Sequence, residues 1–144
     1  MKRVAIVKSR FNEEVTSRLL ASCLKTFKAE GWTDSQLKVV EVPGGWEIPW
    51  AVQELAKTNL YQAVVTLGCV MKGQTPQNDH LARSMAQSLH RVSLETRVPV
   101  ILGVITPNNE RQAMARTKGA MDRGREAALA ALEMIALKEE LRGS

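Results

Sequence analysis

Five consecutive residues, Lys72-Gly73-Gln74-Thr75-Pro76, combine the parts of an anion site. Thr75 is a good helix N-cap, because its hydroxyl can accept from the N–H groups that a helix start leaves unpaired. Pro76 suits the first helical position, which needs no donor. Open N–H groups and the positive end of a helix dipole favour a bound anion, and Lys72 adds charge beside them. An ordinary βα turn carries the same residue types, and taken alone an isolated glycine turn favours that plainer reading. Two other residues have chemistry to offer. Phe11 stands in a loop outside any helical stripe, where an aromatic is either covered by neighbours or stacks on a ligand. Glu47 follows Pro43-Gly44-Gly45, a turn whose backbone is unshielded by side chains. Its carboxylate either favours the dipole of the helix that starts there or accepts hydrogen bonds from ligand hydroxyls.

The elements that must position these residues follow from hydrophobic period. Arg3 to Lys8, Leu37 to Val42, Val64 to Met71 and Val98 to Ile105 are short apolar runs rich in branched residues, bounded by turn residues, and are expected as strands. Asn12 is expected to cap a helix with Glu13 and Glu14 in its first turn and apolar residues at Val15, Leu19, Leu20, Cys23, Leu24 and Phe27, closed by Gly31. A second helix runs from Glu47 to about Lys57. A third begins at Thr75-Pro76, with Leu81, Met85, Leu89, Val92 and Leu94 facing inward, and stops at Thr96 to Pro99. Asn108 or Asn109 caps a short helix that includes Gln112, Ala113 and Arg116. The last helix runs from about Met121 to Leu141, with Arg142-Gly143-Ser144 as a frayed end. Four alternations of strand and helix imply a parallel sheet covered on both faces, an open three-layer α/β/α sandwich of flavodoxin-like type. Such sheets bind ligands beyond the carboxyl ends of their strands. There the loops Phe11-Asn12, Gly44 to Glu47, Lys72 to Gln77 and Thr106 to Asn109 converge on one rim, which raises the case for a site.

Composition narrows the classes. The chain is 144 residues long, enough for one domain with a proper core, and its 44% hydrophobic and 24% charged content is that of a globular protein. No apolar run approaches the ~18 residues of a membrane span. The start, MKRVAIV, leads straight into a strand without a signal peptide, so a cytoplasmic location is the expectation. A net charge of +5 leaves an anionic partner open. Lys and Arg are mixed with Glu, however, with no basic block and few aromatics, which argues against nucleic acid. Cys23 and Cys69 are far apart with no CxxC or Cys/His cluster, so they read as buried thiols and not as metal ligands.

Several stretches together carry a family resemblance. Ser-Arg-Phe-Asn at 9–12, Val-Pro-Gly-Gly-Trp-Glu-Ile-Pro at 42–49, Gly-Cys-Val-Met-Lys-Gly-Gln-Thr-Pro at 68–76, Val-Ser-Leu-Glu-Thr at 92–96 and Pro-Val-Ile-Leu-Gly-Val-Ile-Thr at 99–106 resemble 6,7-dimethyl-8-ribityllumazine synthases, as do Gln112-Ala113, Arg116 and Gly-Arg-Glu-Ala-Ala at 124–128. The match runs through nearly the whole chain in the family's order, as a single domain over 1–144. The resemblance implies condensation of 5-amino-6-(D-ribitylamino)uracil with 3,4-dihydroxy-2-butanone 4-phosphate, without metal or organic cofactor. It implies that Phe11 stacks on the pyrimidine ring and that Gly45, Trp46 and Glu47 hold the ribityl chain. Backbone groups of Cys69, Val70 and Met71 would read the pyrimidinedione edge. Gln74 and Thr75 would cradle the phosphate with Arg116 of an adjacent subunit, which agrees with the anion site read from the turn.

Departures from the family pattern fall at the site. Where members read Thr-x-His-Phe-Asp-Tyr, this chain reads Thr75-Pro76-Gln77-Asn78-Asp79-His80. Gln77 thus replaces the proton-shuttling histidine, and an amide cannot accept and return a proton near neutral pH. His80 lies one helical turn later, where it either substitutes through a water or is structural. Leu102 replaces an aromatic that covers the pocket from the neighbouring subunit, and Arg123 stands in place of a lysine. The resemblance begins without the N-terminal strand that members add to the next subunit's sheet, so one sheet edge is expected to be unpaired. Two functions follow: a synthase slowed by loss of the histidine, or a ligand-binding or shell-forming relative with catalysis lost. The family assembles as pentamers, decamers or icosahedral shells of up to sixty subunits, so a homo-oligomer is expected, with small-molecule substrates and neither nucleic acid nor membrane as partner.

Overall fold

The computed structural model describes residues 1–73 and 75–143. In chain order its elements are β1 (Val4–Ser9), α1 (Glu13–Ala29), β2 (Leu37–Val42), α2 (Ile48–Lys57), β3 (Ala63–Cys69), α3 (Pro76–Thr96), β4 (Val100–Ile105), α4 (Glu110–Ala115) and α5 (Arg123–Gly143). Single 3-10 turns at Asp34–Gln36, Gly45–Glu47 and Gly119–Met121 join them. The strands form one four-stranded sheet in the order β2-β1-β3-β4, and every pairing is parallel. This is the three-layer α/β/α, flavodoxin-like arrangement expected from the alternation.

Each central strand is buried along its whole length because it has neighbours on both sides and helices on both faces. On one face Val4 and Ile6 pack with Val15, Leu19, Cys23 and Phe27 of α1 and with Ala127, Ala128, Ala131 and Ile135 of α5. On the other, Ala5 and Val7 pack with Ile48 and Val52 of α2 and with Met85, Leu89 and Val92 of α3. The small residues of α5 let it approach α1 closely. A Cβ on Gly124 would stand 2.3 Å from the carbonyl oxygen of Leu19, so only glycine permits this contact. Strands β2 and β4 form the two open edges, and their side chains are only partly covered.

Several local expectations are corrected. Asn12 starts α1 in the left-handed region (φ 63°) with no side-chain cap; its amide is used elsewhere, as described below. Val70 and Met71 lie past the end of β3 and turn toward the rim, and β4 begins at Val100, after Pro99. Leu94 is 68% exposed, because it falls off the stripe that Met85, Leu89 and Val92 make. Arg116 caps the carboxyl end of α4 from just outside it. The last helix starts at Arg123, after the turn at Gly119–Met121, and includes Arg142 and Gly143; Ser144 lies outside the described residues.

Candidate active site

Hydrogen bonds lace the four carboxyl-end loops into one rim. Arg10 and Phe11 donate their backbone N–H groups to the carbonyls of Val42 (2.8 Å) and Pro43 (3.0 Å), tying the loop after β1 to the turn after β2. The Asn12 side-chain amide donates to the Cys69 carbonyl at 2.8 Å. Val70 and Lys72 donate to the carbonyls of Ile105 (2.9 Å) and Pro107 (2.7 Å), joining the loops after β3 and β4. Asn78, in the first turn of α3, donates its side-chain amide to the Met71 carbonyl at 2.9 Å. The segment Cys69 to Met71 is therefore held by side-chain amides from two helix starts, α1 and α3.

Within this rim Phe11 is 69% exposed, so the chain's own neighbours do not cover it. Glu47 serves the turn first: its Oε1 accepts from the Gly44 N–H at 2.9 Å. Its other oxygen takes no hydrogen bond from the described residues. Gly45 lies against Met85, Leu81 and Val70, with its Cβ position 3.6–3.7 Å from each, so the turn rests on α3. Trp46 is exposed at 72% beside it and shares a small cleft of about 240 Å³ with Gly45, Leu81 and Met85.

The residues on either side of Gln74 take the form that their types imply. Gly73 takes a positive φ of 82°, and Thr75 caps α3 by accepting from the Asn78 N–H at 3.2 Å, with Pro76 at the first position. Gln74 lies outside the described residues. Gln77 and His80 are both exposed on the opening turns of α3. Neither side chain makes a hydrogen bond among the described residues, and His80 lines none of the clefts named here.

Leu102, Arg116 and Arg123 come together elsewhere, in a cleft of about 390 Å³ between β4 and α5 whose wall includes Gly103, Glu126 and Ala127. The backbone N–H of Arg123 donates to the Arg116 carbonyl at 2.8 Å, and both residues line this cleft. The Arg123 Nη1 meets Glu126 at 3.1 Å, whereas half-buried Arg116 forms no ion pair among the described residues. Leu102, 56% exposed on the open edge, also lines a cleft of about 450 Å³ with Val70, Lys72, Asn78 and Arg83. Of the residues expected at a site, Phe11, Gly45 to Glu47, Cys69 to Met71 and Thr75 lie on the rim and Leu102, Arg116 and Arg123 along the β4 edge, with Leu102 and Val70 sharing one cleft.

Both thiols are free and buried, as expected. Burial pushes Cys69 up to about 11 against the pull of the Arg116 charge, and burial together with Asp122 pushes Cys23 up to about 12. Neither is a nucleophile at neutral pH. Sequence reasoning missed Lys8, a charged residue fully enclosed at the end of β1, and the anchoring role of Asn78. The only signal for Lys8 was a lone cation closing an apolar strand.

The family described as 6,7-dimethyl-8-ribityllumazine synthase matches residues 1–139. A protein of that name from Salinibacter ruber is 44% identical over 142 residues, covering 98% of this chain and 91% of the relative. Another from Stenotrophomonas maltophilia (strain R551-3) is 39% identical over 140 residues, covering 96% of this chain and 90% of the relative. Likeness at this level and coverage makes the chain a member of the 6,7-dimethyl-8-ribityllumazine synthase family.

Proposed function

We propose that this protein condenses 5-amino-6-(D-ribitylamino)uracil with 3,4-dihydroxy-2-butanone 4-phosphate to 6,7-dimethyl-8-ribityllumazine, releasing phosphate and water. The observation that supports the reading is that the residues expected at the site form two groups, one on the rim and one along the β4 edge. Each is incomplete within one chain, and their chemistry is complementary. In this reading residues 1–144 act as one lumazine-synthase-like domain in a homo-oligomer, a pentamer or a multiple of one up to a closed shell. The rim of one copy faces the β4 edge of the next. The described helices include none long and apolar enough to cross a membrane, which fits a cytoplasmic enzyme.

Uncovered Phe11 supplies a stacking face for the pyrimidine ring, and the remaining Glu47 oxygen accepts from ribityl hydroxyls. The backbone of Cys69, Val70 and Met71, pinned by Asn12 and Asn78, reads the ring edge. The phosphate sits at the N-terminus of α3 beside Thr75, with Arg116 of the next copy opposite; a guanidinium suits bidentate phosphate contact. Arg123 and Leu102 of that copy close the pocket. The attacking amine belongs to the substrate, so no protein nucleophile is needed. Holding both substrates together and stabilising the departing phosphate supply the rate. Gln77 orients a hydroxyl or water but does not shuttle a proton, and a missing general base costs about 10²- to 10⁴-fold where it is fully used.

Steady-state formation of the lumazine, followed by absorbance, tests the reading, with Arg116→Ala as control. Turnover lost in that variant is the expected result. Absent turnover in the parent protein, alongside retained binding of the ribitylaminouracil, would instead mark a ligand-binding relative without catalysis. Sedimentation showing a stable monomer would overturn the shared site.

A further inference from the structure

Lys8 is 1% exposed and points, like Val4 and Ile6 two and four residues before it, to the sheet face covered by α1. Its ammonium meets Glu41 at 2.8 Å and both oxygens of Glu13 at 2.9 and 3.0 Å. Glu41 is its register partner on β2, and Glu13 is the first residue of α1. Enclosing an ammonium is costly, and the positive end of the α1 dipole adds repulsion. The two carboxylates offset both effects and hold the Lys8 pKa above its ordinary value despite burial. Without the cation, the Glu13 and Glu41 carboxylates would lose the partner that draws them together. What the lysine adds is therefore geometry: three elements, β1, β2 and α1, are fixed to one nitrogen.

Those three elements frame the ring-binding half of the rim. Between Lys8 and Glu13 lies the loop that carries Phe11, and its Arg10 and Phe11 N–H groups bond to Val42 and Pro43. Just beyond Glu41 lies the Pro43 to Glu47 turn. We infer that Lys8, acting through Glu13 and Glu41, is a positioning residue that sets the Phe11 loop against the Glu47 turn so that both engage one ring-and-ribityl ligand. The identity of that ligand rests on the reading given under Proposed function; the clamp itself does not.

The test uses Lys8→Met in the full chain, with hydrogen exchange read at the Arg10 and Phe11 amides and KM measured for each substrate. Exchange at those two amides is expected to quicken while β3 amides keep their protection. KM for the ribitylaminouracil should rise about tenfold, less than the about 10²-fold that a full 1 Å misplacement can cost, with KM for the butanone phosphate within about twofold. Unchanged exchange, or equal rises in both KM values, would overturn the inference, since a merely structural residue lowers the fraction of folded protein without separating the substrates. Should Lys8→Met fail to fold, Glu41→Gln, a change at an exposed residue, decides by the same readouts. A parent protein that does not bind the ribitylaminouracil would overturn the proposed function, and the exchange measurement would still decide the clamp.

Discussion

The side-chain amide of Asn78 donates to the carbonyl of Met71 at 2.9 Å, and the backbone N–H of the same Asn78 is held by the Thr75 hydroxyl. One residue thus links the Cys69 to Met71 segment to the start of α3. Asn78→Ala leaves a half-enclosed carbonyl without its donor, at a cost of about 1 kcal/mol. Urea denaturation should show that loss, and KM for the ribitylaminouracil should rise while Thr75 still caps. An unchanged KM would mean that Met71 needs no anchor.

Thr75→Ala removes the cap of α3 and is expected to cost about 1 kcal/mol, whereas Thr75→Ser keeps the accepting oxygen. The two variants should also separate kinetically: KM for the butanone phosphate rises in the alanine variant and stays near the parent value in the serine one. Equal behaviour would place the phosphate elsewhere.

Gln77→His restores a proton carrier at the start of α3. Turnover is expected to rise, by up to about 10²-fold where proton transfer limits the rate, and the pH profile should gain a limb near the ordinary histidine range. His80→Ala in the parent background should change turnover by less than about twofold, because exposed His80 lines none of the clefts described above. A loss of tenfold or more, on the scale of general acid–base effects, would show that His80 carries the proton instead.

Gly124→Ala forces a methyl group against the Leu19 carbonyl, where the Cβ would stand at 2.3 Å. Overpacking of this kind costs about 1–3 kcal/mol. The thermal midpoint should fall, and a variant as stable as the parent would mean that α5 can move away from α1 freely.

The Lys8 cluster gives the pH dependence a definite sign. Lys8 titrates above its ordinary value of 10.5, chiefly because its bonds to Glu41 and Glu13 outweigh the cost of burial. Its contribution is therefore full below 10.5 and is lost as pH rises through the higher folded value. Glu13 titrates below its ordinary value of 4.5, held down first by Lys8, so its contribution is present above 4.5 and is lost as pH falls through the lower folded value. Urea midpoints measured against pH should stay flat between these limits with respect to this cluster. The alkaline loss due to Lys8 should vanish in Lys8→Met, and an unaltered alkaline limb would assign it to another group.

Local chemistry made much of this fold readable. Leu37 to Val42 stands where its branched residues and flanking turns put it, and Thr75-Pro76 caps α3 as such a pair should. Relations between distant segments were not readable. Lys8 pairs with Glu41 only because two parallel strands share a register, which no window of sequence contains. Asn12 looked like a cap because asparagine usually is one; a left-handed backbone frees its side chain for the Cys69 carbonyl. The site residues came as a set from family likeness. That Leu102, Arg116 and Arg123 stand along the β4 edge while the Gly45 to Glu47 turn stands at the other side of the rim is a property of the sheet order, which places β4 beyond β3 and away from β2.

The two enclosed thiols have a practical consequence for chemistry done on this protein. With values of about 11 and about 12, on the order of one molecule in ten thousand or fewer carries a thiolate at neutral pH. Maleimides and mild oxidants will therefore leave the folded chain nearly untouched. A single cysteine introduced at an exposed position such as Ser17 becomes a selective handle for a dye or a spin label, without first removing Cys23 or Cys69.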